Sequence, residues 1–384
     1  MRIARAVVAS PEHDDAGHPE HVTRVATLVA LAVAAAAFAA LTRPPAGALA
    51  PRPVLAQADV EARGWFPLVV HGVDRVPVTP PEWITATAAG GLPSDDVRGV
   101  AVDHRGELWI ATAAGAAHRA WDGGLRIVRR SAGGLASDDL TAVAESRDGN
   151  LWFGTAGAGA SMLDRAGRWH HYTADSGLAD HTVQAIFADA EGDTWFGTPS
   201  GGISRISANG RRVAFSTAQG LGSNNVRAIV VEPDRRAWFG TGDAGVSMLW
   251  QGRFTVLTTR DGLASDDVRA VAVGADGSLW VGTSADGASR RTPDGRWRTY
   301  RTADGLASDA LRAVAVDADG HVWFGTRDRG ASVLAPDGRW TTAAIDAQGV
   351  VEVRAIAADA YGNVWLATPA GVVGRRAWIP LGGR

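Results

Sequence analysis

Trp152-Phe153-Gly154-Thr155 is one of seven copies of the same short phrase. The tryptophans are Trp109, Trp152, Trp195, Trp238, Trp280, Trp323 and Trp365, separated by 43, 43, 43, 42, 43 and 42 residues. A period this constant marks one supersecondary unit copied in tandem. Units of about 40 residues, rich in glycine and β-branched residues with one signature aromatic, predict propeller blades. Seven units suit a closed ring. The fold class read from the sequence is all-β: a single seven-bladed β-propeller with four-stranded antiparallel blades, preceded by one N-terminal apolar helix.

The fifth unit shows how a blade is written. Gly262 to Asp267 reads as a loop and Val268 to Val273 as a strand with apolar residues on both faces, as expected between neighbouring blades. Gly274-Ala275-Asp276-Gly277 turns the chain, and Ser278 to Thr283 forms the second strand. Ala288 to Arg291 and Arg296 to Tyr300 complete the four. The repeated tryptophan is expected to fill the space between blades, and the glycine two residues on to permit close approach. Ala111 and Ala367 replace that glycine in the first and last units. Trp83, Trp169, Trp297 and Trp340 recur on the fourth strand. The segment around Trp83 is a fourth strand with no first three, while the last unit supplies three strands up to about Arg375. The two ends are expected to share one blade, which would remove two open sheet edges.

Before the repeats, Val25 to Leu41 is an uncharged run of 17 residues between Arg24 and Arg43, nine of them alanine. A spanning helix needs roughly 17–25 apolar residues. The preferred reading is a transmembrane signal anchor. A cleaved signal peptide, suggested by Ala56-Gln57-Ala58, and a soluble helix are the alternatives. The domain reading is a tail over 1–24, the anchor or signal core over 25–42, a proline-rich linker over 43–64 and the propeller over 65–384. Either leading reading places the ring outside the cytoplasm, anchored at the membrane or secreted. The formal net charge of −3 implies no broad polyanion-binding surface, and hence no nucleic acid. All 38 basic residues are arginine, and cysteine is absent, which excludes disulfides and thiolate metal sites.

A second motif precedes each tryptophan phrase. It reads Gly-Leu-x-Ser-Asp-Asp-Val-Arg, then about ten residues, then Leu-Trp-Phe-Gly-Thr. It stands at Gly91–Arg98, Gly134–Thr141, Gly177–Gln184, Gly220–Arg227, Gly262–Arg269 and Gly305–Arg312, and in shortened form before Arg354. Over about residues 80–378 these units resemble the two-component regulator propeller family. The resemblance implies the extracytoplasmic sensing part of a bacterial receptor, in which a kinase or nucleotide cyclase follows a membrane helix. No such output domain is written in these residues, so kinase activity is not carried over.

In a propeller the loop before each inner strand and the loop between strands two and three share one face. The repeated Ser-Asp pairs are expected to cap their own loops, and the arginines to pair with a neighbouring blade's aspartate. A ligand site would use positions that differ between blades. The candidate rim residues are therefore His181, Asn224, Asn225, Asp243, Asp286, Arg327, Asp328, Arg329 and Arg354. The expected function is a non-catalytic ligand-binding sensor for a small molecule or carbohydrate, with a kinase or cyclase as signalling partner. A protein-interaction scaffold is the alternative, and a propeller lyase is disfavoured. Asp317-Ala318-Asp319-Gly320 lacks the rest of a calcium loop and reads as a turn. The histidines show no metal-ligand spacing and no phosphate loop or nucleophile elbow is written, so neither cofactor nor catalytic residue is expected.

Overall fold

The computed structural model describes residues 75–120, 122–343, 352–359 and 362–380. They form seven four-stranded antiparallel sheets. The inner strands are Val97–Val102, Leu140–Glu145, Ala185–Ala188, Val226–Val231, Val268–Val273, Leu311–Val316 and Ala355–Ala358. Each touches the inner strand of the next sheet, and the last touches the first. The sheets are thus the blades of a closed ring, numbered 1 to 7 in chain order.

The second strands carry the phrase that fixes the period. Every residue of Leu151–Thr155, Ala237–Thr241, Leu279–Thr283 and Val322–Thr326 is buried. Burial on both faces is what a strand sandwiched between blades requires. Trp109 packs on Leu140, Val143 and Phe153 of blade 2, and Trp238 on Val268, Val271 and Val281 of blade 5. Trp365 reaches Val97, Val100 and Ile110 of blade 1 and closes the circle. The glycine two residues on is needed for that approach. A Cβ on Gly240 would lie 2.6 Å from Val268 Cγ1, and one on Gly325 2.7 Å from Val353 Cγ1. The phrase ends on a threonine for a similar local reason: Thr241 and Thr283 donate their hydroxyls to the Gly245 and Gly287 carbonyls across the next turn.

Buried indole N–H groups need acceptors. Four tryptophans donate to the acid six residues earlier: Trp109 to Asp103 at 3.2 Å, Trp195 to Asp189 at 2.9 Å, Trp238 to Glu232 at 2.6 Å and Trp323 to Asp317 at 2.9 Å. Asp317 also accepts from the backbone N–H groups of Asp319 and His321, so Asp317 to Gly320 is the turn expected. Blades 2 and 5 break this rule. Gly274 precedes Trp280 in blade 5; in blade 2 Ser146 occupies the acid's place, and Trp152 Nε1 is buried with no partner. Ser146→Asp should therefore stabilise the ring by about 0.5–1.5 kcal/mol, the usual worth of one hydrogen bond. Denaturant titration reads it; an unchanged or lower midpoint would show that the indole gains nothing from the acid.

Arg75–Ala86 is the outer strand of blade 7, antiparallel to Gly371–Pro380, with Trp83 opposite Arg375 and Ile84 opposite Gly374. The ring is closed by joining the two ends of the chain, as the orphan fourth strand predicts. One expectation is corrected. Among the described residues there is no α-helix, only six three-residue 3-10 turns, and no helix long and apolar enough to cross a membrane. Val25 to Leu41, with the tail and linker that flank it, lies outside the described residues. The N-terminal apolar helix is therefore unsupported, and the fold class is the propeller without it. An alanine-rich run at the lower limit of spanning length is a weak warrant on its own.

Candidate functional site

Each of blades 1 to 6 is entered through the same device. A 3-10 turn such as Thr259–Asp261 stops at a glycine in the left-handed region, here Gly262 with φ 112°. A buried leucine follows: Leu92, Leu135, Leu178, Leu221, Leu263 or Leu306. Next, the serine side chain accepts from the backbone N–H two residues on, as Ser265 does from Asp267 and Ser308 from Ala310. The first acid caps the preceding turn: Asp95 accepts from Ala88 N–H, Asp266 from Thr259 and Asp309 from Thr302. These two motif positions shape the loop, as the self-capping reading expects.

The second acid and the arginine do something different. They face the ring axis and pair between blades. Arg98 Nη1 lies 2.6 Å from Asp139 of blade 2. Gln184 Nε2 donates to Asn225 of blade 4 at 3.0 Å. Arg227 pairs with Asp267 of blade 5 and Arg354 with Asp96 of blade 1. Arg312 Nε lies 3.5 Å from Glu352 of blade 7. Additional contacts join Arg98 to Asp96 at 3.2 Å, Arg354 to Glu352 at 3.5 Å and Arg269 to Asp267 at 3.7 Å.

These side chains line an open hollow of about 440 Å³, formed by Asp96, Arg98, Gln184, Arg227, Arg269, Arg312, Glu352 and Arg354. Its volume is that of a small-ligand pocket. The groups are partly buried, which strengthens their mutual influence. Burial pushes the Asp96 carboxyl up, but the Arg354 hydrogen bond and charge, with those of Arg98, hold it below the ordinary carboxylate range. Arg269 is pushed the other way for an arginine, downward. Burial is the main cause, followed by the charge of Arg227 and then of Arg312 and Arg327, against the pull of Asp267.

Of the candidate rim residues, Arg354 lines this cavity. Asn225 borders it through Gln184, and Arg327 acts on Arg269 by its charge. The others do not line it. Asn224 caps the turn at Thr217, its Oδ1 accepting at 2.9 Å. His181 is exposed on its loop, and its carbonyl accepts from Gly159 N–H. Asp286 lies 3.9 Å from Arg301. Asp243, Asp328 and Arg329 are exposed on the loops between strands two and three. Sequence reasoning set Arg98, Arg227, Arg269 and Arg312 aside because they repeat, and overlooked Gln184 and Glu352. Those last two did carry a signal, since each departs from its repeat position.

A triad of Asp103, Glu107 and His118 lies within metal-binding reach. Its acceptors are already used: Asp103 takes the N–H groups of Arg105, Glu107 and Trp109, and His118 contacts Glu107 at 2.9 Å while stacking on Trp109. The group reads as part of the turn that supports Trp109.

Four of the units match the two component regulator propeller family model, at residues 91–114, 134–157, 262–285 and 305–328. No curated protein matches the chain. Solved structures share the fold. The extracellular domain of a hybrid two component system of B. thetaiotaomicron aligns with a TM-score of 0.64 at 18% identity, over 77% of this chain. The alignment spans 42% of that protein's chain. Virginiamycin B lyase of Staphylococcus aureus aligns with a TM-score of 0.62 at 18% identity, over 78% of this chain and 99% of the lyase. Its catalytically inactive histidine-to-alanine variant with quinupristin aligns at 0.60 and 18%, over 81% and 99%.

Proposed function

We propose that this propeller is a non-catalytic sensor or ligand-binding module of bacterial signal transduction, working outside the cytoplasm. It holds a small polar ligand in the cavity on the ring axis. The observation that carries this reading is the circle of guanidinium, carboxylate and amide groups around a space of about 440 Å³. Forked guanidinium groups held by neighbouring carboxylates are preorganised donors for charged or sugar-like ligands. The regulator propeller repeats support a signalling role. An extracytoplasmic setting is supported by the extracellular two component domain that shares the fold. The lyase reading is weaker. The inactive variant of that enzyme lacks a histidine, whereas no histidine lines this cavity.

The test is thermal melting against a panel of monosaccharides, sugar acids, amino acids and phosphate esters. A ligand that binds the native ring alone raises its stability with the logarithm of its concentration. The double variant Arg227→Gln/Arg354→Gln should abolish that rise. Asp267 retains Arg269 and Asp96 retains Arg98 in the variant, so the unliganded ring should lose less than about 1 kcal/mol per pair. If no compound shifts the melting temperature, the protein-scaffold reading becomes the better one.

A further inference from the structure

One arginine of the ring lacks the acid that the next blade supplies to the others: the acid's place holds Thr182, Asn225 and Ala310 in blades 3, 4 and 6, but Thr182 and Asn225 follow Thr141 and Gln184. Arg98, Arg227, Arg312 and Arg354 each reach a carboxylate at the start of the next blade's inner strand. In blade 6 that position is Ala310, so the repeat aims Arg269 at a methyl group. Arg269 donates through Nε to Ser284 at 2.5 Å and shares Asp267 with Arg227. Arg312 stands on the far side of the gap. Its Nε is buried with no hydrogen-bond partner, and Glu352 stands off at 3.5 Å. Arg327 is nearby: its backbone N–H donates to the Ala310 carbonyl at 2.8 Å, and its charge acts on Arg269. Elsewhere on the axis, Arg98, Arg354 and Arg312 form one continuous network with Asp139, Asp96 and Glu352, three charges of each sign. Arg227 and Arg269 have the single acid Asp267 between them. The unbalanced positive charge therefore falls beside Ala310. The depressed proton affinity of Arg269, caused by burial and then by its three cationic neighbours, agrees with that placement.

We infer that the cavity takes an anionic ligand, with a carboxylate, sulfate or phosphate group seated between Arg269 and Arg312 where blades 1, 2, 5 and 7 place their own acid. This rests on the reading of the cavity as a small-ligand site. The planar guanidinium fork matches the paired oxygens of such a group. The ligand's oxygens would supply the acid at the one junction where an arginine faces none.

Ala310→Asp restores the missing acid and so competes with the ligand from within. Arg269→Gln removes the fork. The experiment is calorimetric titration of the full chain and of both variants with glucuronate, inorganic sulfate and glucose at fixed ionic strength. Glucuronate and sulfate should bind the native chain, glucose at least tenfold more weakly than glucuronate. Both variants should weaken both anions at least tenfold. Tighter binding of sulfate than of glucuronate points to a free oxyanion, and the reverse to an acid carried on a larger polar body; both support the inference. Ala310→Asp should melt no lower than the native chain, and if it folds poorly Arg269→Gln carries the same test. Unchanged anion affinity in the variants overturns the inference, as does the absence of binding heat with either anion at millimolar concentration. A neutral ligand lost in Arg227→Gln/Arg354→Gln but kept in Ala310→Asp would overturn it too, while leaving the proposed small-ligand function standing.

Discussion

Trp238→Ala is expected to cost about 3–5 kcal/mol, the usual range for removing a buried aromatic. The side chain is 1% exposed and packs on Val246 of its own blade and on Leu263, Val268 and Val271 of blade 5. Removing it opens a void at the seam between two blades. The truncation also leaves Glu232 without the indole N–H it accepts at 2.6 Å. Burial already pushes the Glu232 carboxyl above its ordinary range, with the indole hydrogen bond opposing that rise. Losing the bond therefore worsens a carboxylate that is costly to hold ionised. The Arg291 guanidinium, 5.8 Å from the ring centre, loses a cation–π partner as well. Denaturant titration is the measurement, with the slope checked for constancy so that the midpoint reports stability. Trp250→Ala is the internal control. That residue is 42% exposed at the end of a third strand, so its loss should be much smaller. Equal losses from the two tryptophans would refute the assignment of the repeated residue to the seam.

The fold was legible because a propeller repeats its packing problem seven times. Each seam needs a large side chain, a nearby glycine or alanine and a turn, so one phrase recurs at a fixed spacing. The carboxylate that receives the indole proton was less visible. It varies between Asp103 and Glu232, gives way to Ser146 and Gly274 in blades 2 and 5, and lies six residues away across a turn. The site was harder still, for a physical reason. In the motif Ser-Asp-Asp-x-Arg, the first acid serves the loop and the second serves the axis, and spacing alone does not separate the two. Asn224 and Asn225 show this: adjacent and alike, one caps a turn and the other meets Gln184 beside the cavity. Seeking residues that differ between blades was a sound rule, and it reached Asn225 and Arg354 on the axis, but it was not carried through the whole acid register. Carried through, it adds Thr182 and Ala310, of which only Ala310 follows an arginine.

Removal of the outer strand of blade 7 is the second change expected to have a large effect. A chain beginning at residue 88 lacks Arg75–Ala86, whereas one beginning at residue 75 keeps it. The lost strand runs antiparallel to Gly371–Pro380, from Arg75 opposite Pro380 to Ala86 opposite Val372. Its Trp83 packs against the cluster of Trp323 and Val373, and its Ile84 against that of Trp365 and Val372. Both seams beside blade 7 therefore lose apolar cover at once. The Gly371–Pro380 strand would also present an unpaired row of backbone groups, a template for pairing with other chains. The shorter chain should aggregate, or melt many degrees lower with a broadened transition, while the longer one unfolds in a single cooperative step. Adding the 75–87 segment back as a peptide should restore part of the lost stability, in proportion to the logarithm of its concentration. The clasp draws its energy from pairing and burial that connect the two ends of the chain. Continuity at Thr87 serves chiefly to hold the strand at high effective concentration. If the two chains melt alike, the ring is closed by the seam between blades 7 and 1 alone, and the strand around Trp83 contributes nothing measurable.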